Sequence, residues 1–260
     1  MSQAARIRAD WVAVDWGTSN LRAWAMGPDD EVLAEVSSDR GMATLTSDGY
    51  EAALLGLIAD WLGEGRTDVL VAGMAGSRQG WAEAPYRRVP CAPVSGPGIA
   101  VATADPRLAV RIVPGLSQAS PADVMRGEEV QIAGYLGANP GYDGVICLPG
   151  THSKWIEVSA GEVVSFRTFL TGELFALLSR QSILRHSVGP GWDDDAFTAA
   201  VAEAQSRPET LARNLFGLRA ESLLEDLDPA SATARLSGAL IGAELAAARP
   251  YWLGRPVVLI

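Results

Sequence analysis

Cysteine and histidine are scarce in this 260-residue chain, with two of each. Cys91 and Cys147 lie far apart and match no metal-ligand spacing. That excludes a cysteine zinc site and a disulfide framework, and predicts buried thiols in a reducing compartment. No apolar run reaches the roughly 18 residues of a membrane-spanning helix. The first residues include two arginines, but no apolar stretch follows and there is no small-residue cleavage site, so no secretory leader is expected. Basic residues are outnumbered, 21 against 31 acidic, for a net charge of −10. Broad binding to a nucleic-acid backbone needs clustered Lys and Arg and is excluded, although a local basic pocket for one small anion is not. A cytoplasmic protein with neither a nucleic-acid nor a membrane partner is predicted, and its oligomeric state is left open, a homo-oligomer included. What is plentiful is apolar: 48% of residues are hydrophobic and 20% charged, a globular composition for one large or two medium domains.

The chain is organised around Val12–Trp24. A short apolar run ends in Asp15, a tight turn of glycine and small polar residues follows, and an alternating run leads away. This is a β-hairpin with polar groups at its tip. Asp15 could approach a metal ion, Gly17 could admit a phosphate, and backbone N–H groups with Thr18, Ser19 and Asn20 could hold it. A second copy occupies Gly144–Val158: an apolar strand, then Gly150, Thr151, His152 and Ser153, then an alternating strand. A basic residue follows each turn, Arg22 in one and Lys154 in the other, and a hairpin partner follows each in turn. This is an internal duplication of a strand–turn–strand unit. Only the first copy carries the acid, because Leu148 stands where Asp15 would. His152 could donate to a phosphate or merely cap its turn.

Residues 11–15, 20–26 and 31–36 read as strands, and 49–62 as a helix with Tyr50, Leu54, Leu57, Ile58 and Trp61 on one stripe and Asp48 as its N-cap. Residues 68–72 read as a strand covered on both faces, and 110–113 as another strand. The loop between them carries Ser77, Arg78 and Gln79, which could grip a carboxylate or sit on a plain surface loop. Glu128 and Glu129 open a predicted helix, placed there either for the helix dipole or as a catalytic acid. A helix to about residue 184 is capped by Thr171. Helices at 208–225 and 229–249 start with Pro208 and Pro229, and 256–260 is a final strand. The acidic loop 186–195 reads as solvated surface. The small-residue run Ser237–Leu245 suits close helix packing or a closely approaching ligand.

Six motifs in order extend this reading: Asp15–Arg22, Gly76–Tyr86, Met125–Gln131, Leu148–Trp155, Phe166–Leu174 and Leu236–Gly242. Together they resemble the 2-dehydro-3-deoxygalactonokinase family of the actin/hexokinase/Hsp70-like superfamily, along nearly the whole chain. The resemblance implies an α/β fold of two ribonuclease-H-like lobes of mixed β-sheet with flanking helices, residues 1–138 and 139–260, and an ATP cleft between them. It implies phosphoryl transfer from ATP, with Mg²⁺ near Asp15, to the terminal hydroxyl of 2-dehydro-3-deoxy-galactonate, in galactose or galactonate breakdown. Gly17–Asn20 and Gly150–Lys154 would hold the phosphates. Glu128 would be the base, with Glu129 next and Asp123 third. Arg78, with Ser77, Gln79 and Arg126, would hold the sugar acid. On the family pattern the chain stops before a glycine-rich adenosine-side loop and a final helix. A kinase for another sugar acid, such as the gluconate epimer, and a non-catalytic sensor are the alternatives.

Overall fold

In the computed structural model of this protein, residues 7–260 are described. The fold is mixed α/β, in two compact units. One runs to Tyr142 and includes Ala160–Val164; the other is Asp143–Ser159 with Ser165–Ile260.

In the first unit, β1 (Trp11–Trp16) alternates strictly. Val12, Val14 and Trp16 enter the core, while Trp11, Ala13 and Asp15 face the other way. β1 pairs antiparallel with β2 (Leu21–Met26), which pairs antiparallel with β3 (Val32–Ser38). Helix α1 (Tyr50–Ile58) lays Tyr50, Ala53, Leu54 and Ile58 into the core. Its N-cap is Gly49 and not the predicted Asp48, whose carboxylate instead accepts from Thr46 at 2.6 Å. β4 (Thr67–Gly73) lies parallel to β1. The structure corrects the expectation of a strand covered on both faces, because Asp68 and Leu70 alternate outward into exposure. The short strands β5 (Arg87–Arg88) and β6 (Ile99–Ala100) precede β7 (Leu108–Ile112). The sheet order is β3-β2-β1-β4-β7-β6. β8 (Leu116–Ala119) and β9 (Ala122–Met125) join β5 in a small second sheet that the sequence did not reveal, since its strands are too short and polar for a period to register. Helix α2 (Glu128–Ala138) follows, burying Glu129 and Ile132.

In the second unit, β10 (Gly144–Leu148) pairs antiparallel with β11 (Ser153–Ser159), next to β12 (Glu162–Phe169), and parallel with the last strand, β13 (Val257–Leu259). This four-stranded sheet, β12-β11-β10-β13, repeats the order β3-β2-β1-β4 of the first. β10 is buried at every position. Of the two thiols predicted to be buried, Cys147 in β10 is, and burial pushes it up to about 12. Cys91 is only half-buried, and its backbone exchanges two hydrogen bonds with Val163 within the first unit. Helices α3 (Thr171–Arg180), α4 (Asp194–Ser206), α5 (Leu211–Leu224), α6 (Pro229–Ala247) and the short α7 (Arg249–Trp252) complete the unit.

Two predicted details change here. Thr171 is the first residue of α3 and not its cap. The loop read as solvated surface ends in Asp193, which caps the unpredicted α4 by accepting from Ala196 N at 3.0 Å. α4 explains the small residues of α6. A Cβ at Gly238 or Gly242 would press on the carbonyls of Phe197 and Val201, so glycine lets the two backbones close up. Among the described residues no helix is long and apolar enough to cross a membrane.

Candidate active site

The first turn is built by backbone. Gly17 N donates to Asn20 O at 2.8 Å, closing the link from β1 to β2. Behind it lies a segment that no sequence pattern marks out, Gly41–Ala43. Met42 N donates to Gly17 O at 3.0 Å and Ala43 N to Thr18 O at 2.9 Å. A Cβ on Gly41 would collide with the backbone of Thr18, Ser19 and Asn20. With the carbonyls taken from behind, the N–H groups of Thr18 and Ser19 have no hydrogen-bond partner among the described residues, and both residues are exposed. Unpaired N–H groups in a glycine turn are the chemistry of an anion site.

Asp15 stands at the end of β1 opposite Arg22. Arg22 Nη2 is 2.5 Å from Asp15 Oδ2, and the side chains are 51% and 35% exposed, so the carboxylate keeps an open side. A Cβ on Gly73, at φ +91°, would lie 3.4 Å from Asp15 Oδ1 and press on the Trp16 carbonyl. Gly127, at φ +106°, brings the start of α2 against Gly73; its own Cβ would sit 3.5 Å from Gly73 Cα. Asp15, Gly73 and the Gly127–Glu129 corner therefore meet at one end of the sheet. Of these, Asp15 and Gly127 border a groove of about 370 Å³ on the sheet face bearing Ala13, Trp24 and Leu70.

The two glutamates of that corner differ. Glu128 is half-buried and its Oε2 accepts Arg126 N at 2.9 Å. Glu129 is 0% exposed; Oε2 accepts Gly127 N at 2.7 Å, while Oε1 has no partner. Burial pushes the Glu129 carboxyl up to about 8. The backbone N–H groups of Glu129 and Gly127 work against this, Glu128 adds to it, and Arg126 opposes it. Asp123, the third candidate, lies on β9 and its carboxylate accepts Val124 N at 2.8 Å.

The residues predicted to hold a sugar acid have different surroundings. Ser77 is buried and its hydroxyl points at Met42 Sδ, 3.3 Å away. Gln79 is exposed. Arg78 is 82% exposed and its Nε is 3.6 Å from Glu83. Arg126 lies over the Tyr86 ring at 4.4 Å and donates to Ala84 O at 2.8 Å, leaving Nε and Nη1 buried without a hydrogen-bond partner. Arg78 and Arg126 thus face different partners.

In the second unit, Leu148 lies opposite Lys154 as Asp15 lies opposite Arg22. Lys154, the only lysine in the sequence, is 4% exposed, and Ser153 beside it is buried as well. The exposed part of the turn is Gly150–His152. His152 Nε2 is 2.6 Å from Glu173 Oε2, so its partner is a carboxylate of α3. The turn borders a largely apolar cavity of about 400 Å³, walled by Trp155, Phe175, Leu240, Ile241 and Leu245, with Ser237 and Glu244 among its few polar groups. Among the described residues no cluster of three or more His, Cys, Asp or Glu is arranged to hold a metal. Asp15 alone, with its open side, suits a magnesium ion, which keeps several waters and takes phosphate oxygens as its other ligands.

The model of the family described as 2-keto-3-deoxy-galactonokinase matches residues 15–260. The chain belongs to that family. A probable 2-dehydro-3-deoxygalactonokinase of Rhizobium meliloti (strain 1021) is 42% identical over 247 residues, 92% of this chain and 80% of that one. The 2-dehydro-3-deoxygalactonokinase of Escherichia coli (strain K12) is 37% identical over 246 residues, 94% of this chain and 82% of that one. A solved Sinorhizobium meliloti structure bearing the same enzyme name superposes with a TM-score of 0.87 at 40% identity, over 96% of this chain and 83% of that one. Membership in the 2-keto-3-deoxy-galactonokinase family makes the chain a sugar-acid kinase.

Proposed function

We propose that this chain transfers the γ-phosphoryl group of ATP to the 6-hydroxyl of 2-dehydro-3-deoxy-galactonate, in the cytoplasm, giving the 6-phosphate. The observation that carries the reading is the repeated turn with an acid in one copy only: Asp15 faces Arg22 where Leu148 faces Lys154. Phosphoryl transfer asks for alignment and charge neutralisation more than for covalent chemistry. The N–H groups of Thr18 and Ser19 and the turn at Gly150–His152 would each hold phosphate oxygens, and the apolar cavity of the second unit would take the nucleoside. Magnesium, when bound beside Asp15, would neutralise phosphate charge. Arg22 would hold the Asp15 carboxylate in place while leaving its open side to that ion's water shell.

Glu128 would accept the hydroxyl proton as it becomes acidic late in the transfer. Glu129 suits that role less, since it is sealed from solvent and holds its proton up to about pH 8. Arg126, with two donors lacking a hydrogen-bond partner, is the stronger candidate for the substrate carboxylate, and exposed Arg78 the weaker.

The deciding measurement is ADP release with Mg-ATP and a panel of 2-dehydro-3-deoxy sugar acids. Turnover with the galacto acid well above its gluco epimer is expected; equal rates would make the chain a general sugar-acid kinase, and none would leave a sensor. Glu128→Gln should lower kcat by about 10²–10⁴-fold with little change in ATP affinity. An unchanged kcat would move the base to Asp123 or elsewhere.

A further inference from the structure

Glu244 is a carboxylate of α6 set in the wall of an apolar cavity, and no step described above uses it. It is buried, and both oxygens are engaged. Oε1 accepts from the Trp155 indole N–H at 2.8 Å, and Oε2 accepts from the Thr171 hydroxyl. The two donors belong to elements that adjoin the Gly150–His152 turn. Trp155 lies in β11, just after the turn, and Thr171 is the first residue of α3. The start of α3 is in turn seated on the turn's backbone. Glu173 N donates to Thr151 O at 3.0 Å, and a Cβ on Gly172 would press on the Gly150 carbonyl and Thr151 Cα. A carboxylate taken out of water costs stability unless its hydrogen bonds are kept, so this one holds its two donors in place or destabilises the unit.

We propose that Glu244 is a positioning residue for nucleotide binding: through Trp155 and Thr171 it fixes β11 and the start of α3, so that the Gly150–His152 turn keeps the shape that receives phosphate. The inference rests on the reading of that turn as a phosphate site. In this reading Glu244 acts through Trp155 and Thr171, which engage both of its oxygens.

The test is ATP affinity, by calorimetry and as KM, beside the KM for the sugar acid, in four single variants of the full chain and one double variant. Glu244→Leu and Thr171→Val each lose the link and should weaken ATP binding by about ten- to a hundredfold while leaving the sugar-acid KM within its error. Glu244→Gln and Thr171→Ser keep an acceptor or a hydroxyl and should restore most of the affinity. The two disruptive changes combined should cost little more than either alone. If Glu244→Leu fails to fold, Thr171→Val carries the test, since it removes one hydroxyl at nearly constant volume. Thr171→Val binding ATP like the parent chain overturns the proposal. So does an equal loss for both substrates that follows the folded fraction, because that is a general stability effect. A parent chain that binds no ATP brings down the phosphate reading and this inference with it; ATP binding by the parent with unaffected variants brings down the inference alone.

Discussion

Glu129 is buried against its own chemistry. An ordinary glutamate loses its proton near pH 4.3, whereas here burial holds the proton to about 8. Between those values the folded chain keeps a proton that the unfolded chain has released, so stability falls as pH rises through that window and is independent of this group below it. Melting temperatures taken from pH 5 to 8 should decline, and Glu129→Gln should flatten that decline and melt at or above the parent at pH 8. An unchanged slope would mean that the decline belongs to other groups. At this scale the sequence was partly legible. Asp15 declared itself by ending an apolar run before a glycine turn, and Glu128 and Glu129 by opening a helix. What separates the two glutamates is which one the helix turns inward, and adjacent acids at a helix start carry no mark of that. Thr171 looked like a cap because a hydroxyl before a helical run usually is one; its hydroxyl is instead spent on Glu244, 73 positions away.

At the scale of elements, two close approaches carry the architecture. Gly41 lies against the backbone of the first turn with no room for a Cβ. Gly41→Ala should therefore push that turn out of shape and raise the KM for ATP by about tenfold or more, with a smaller loss of stability. An unaffected KM would mean that the turn does not bind phosphate. Gly242 lies equally close to Val201 O in α4. Gly242→Ala should destabilise the second unit by about 1–3 kcal/mol, read by chemical denaturation, without changing the first turn's behaviour. The long strands and their turns could be read from the sequence because alternation and glycine placement are local signals. α4 was missed because its partner α6 supplies the reason for its packing from forty residues away. The sheet of β5, β8 and β9 was missed because strands of two to four residues hold too few periods to count.

For the molecule as a whole, the duplication is the largest fact the sequence disclosed. It was legible because the two copies keep the same order of strand, turn, basic residue and partner strand, and the structure gives them the same strand senses, with the second link one residue shorter: Asp15 pairs with Arg22, Leu148 with Lys154. The sequence could not show that the first copy packs in a core with Tyr50 and Leu54 around Trp16, and the second in another with Ala248 and Tyr251 around Val145, Cys147 and Trp155. Separate cores favour separate melting. Calorimetry should give an enthalpy larger than the van 't Hoff value, and a non-hydrolysable ATP analogue should raise the transition of the second unit. Coincident enthalpies would show one cooperative block. The lone lysine of the sequence adds a consequence of another kind. Because Lys154 is sealed beside the second turn, its amine is shielded from an amine-directed reagent until the structure around it opens. The pace at which Lys154 takes up a label is then a clock for that local opening, without a single residue having to be changed.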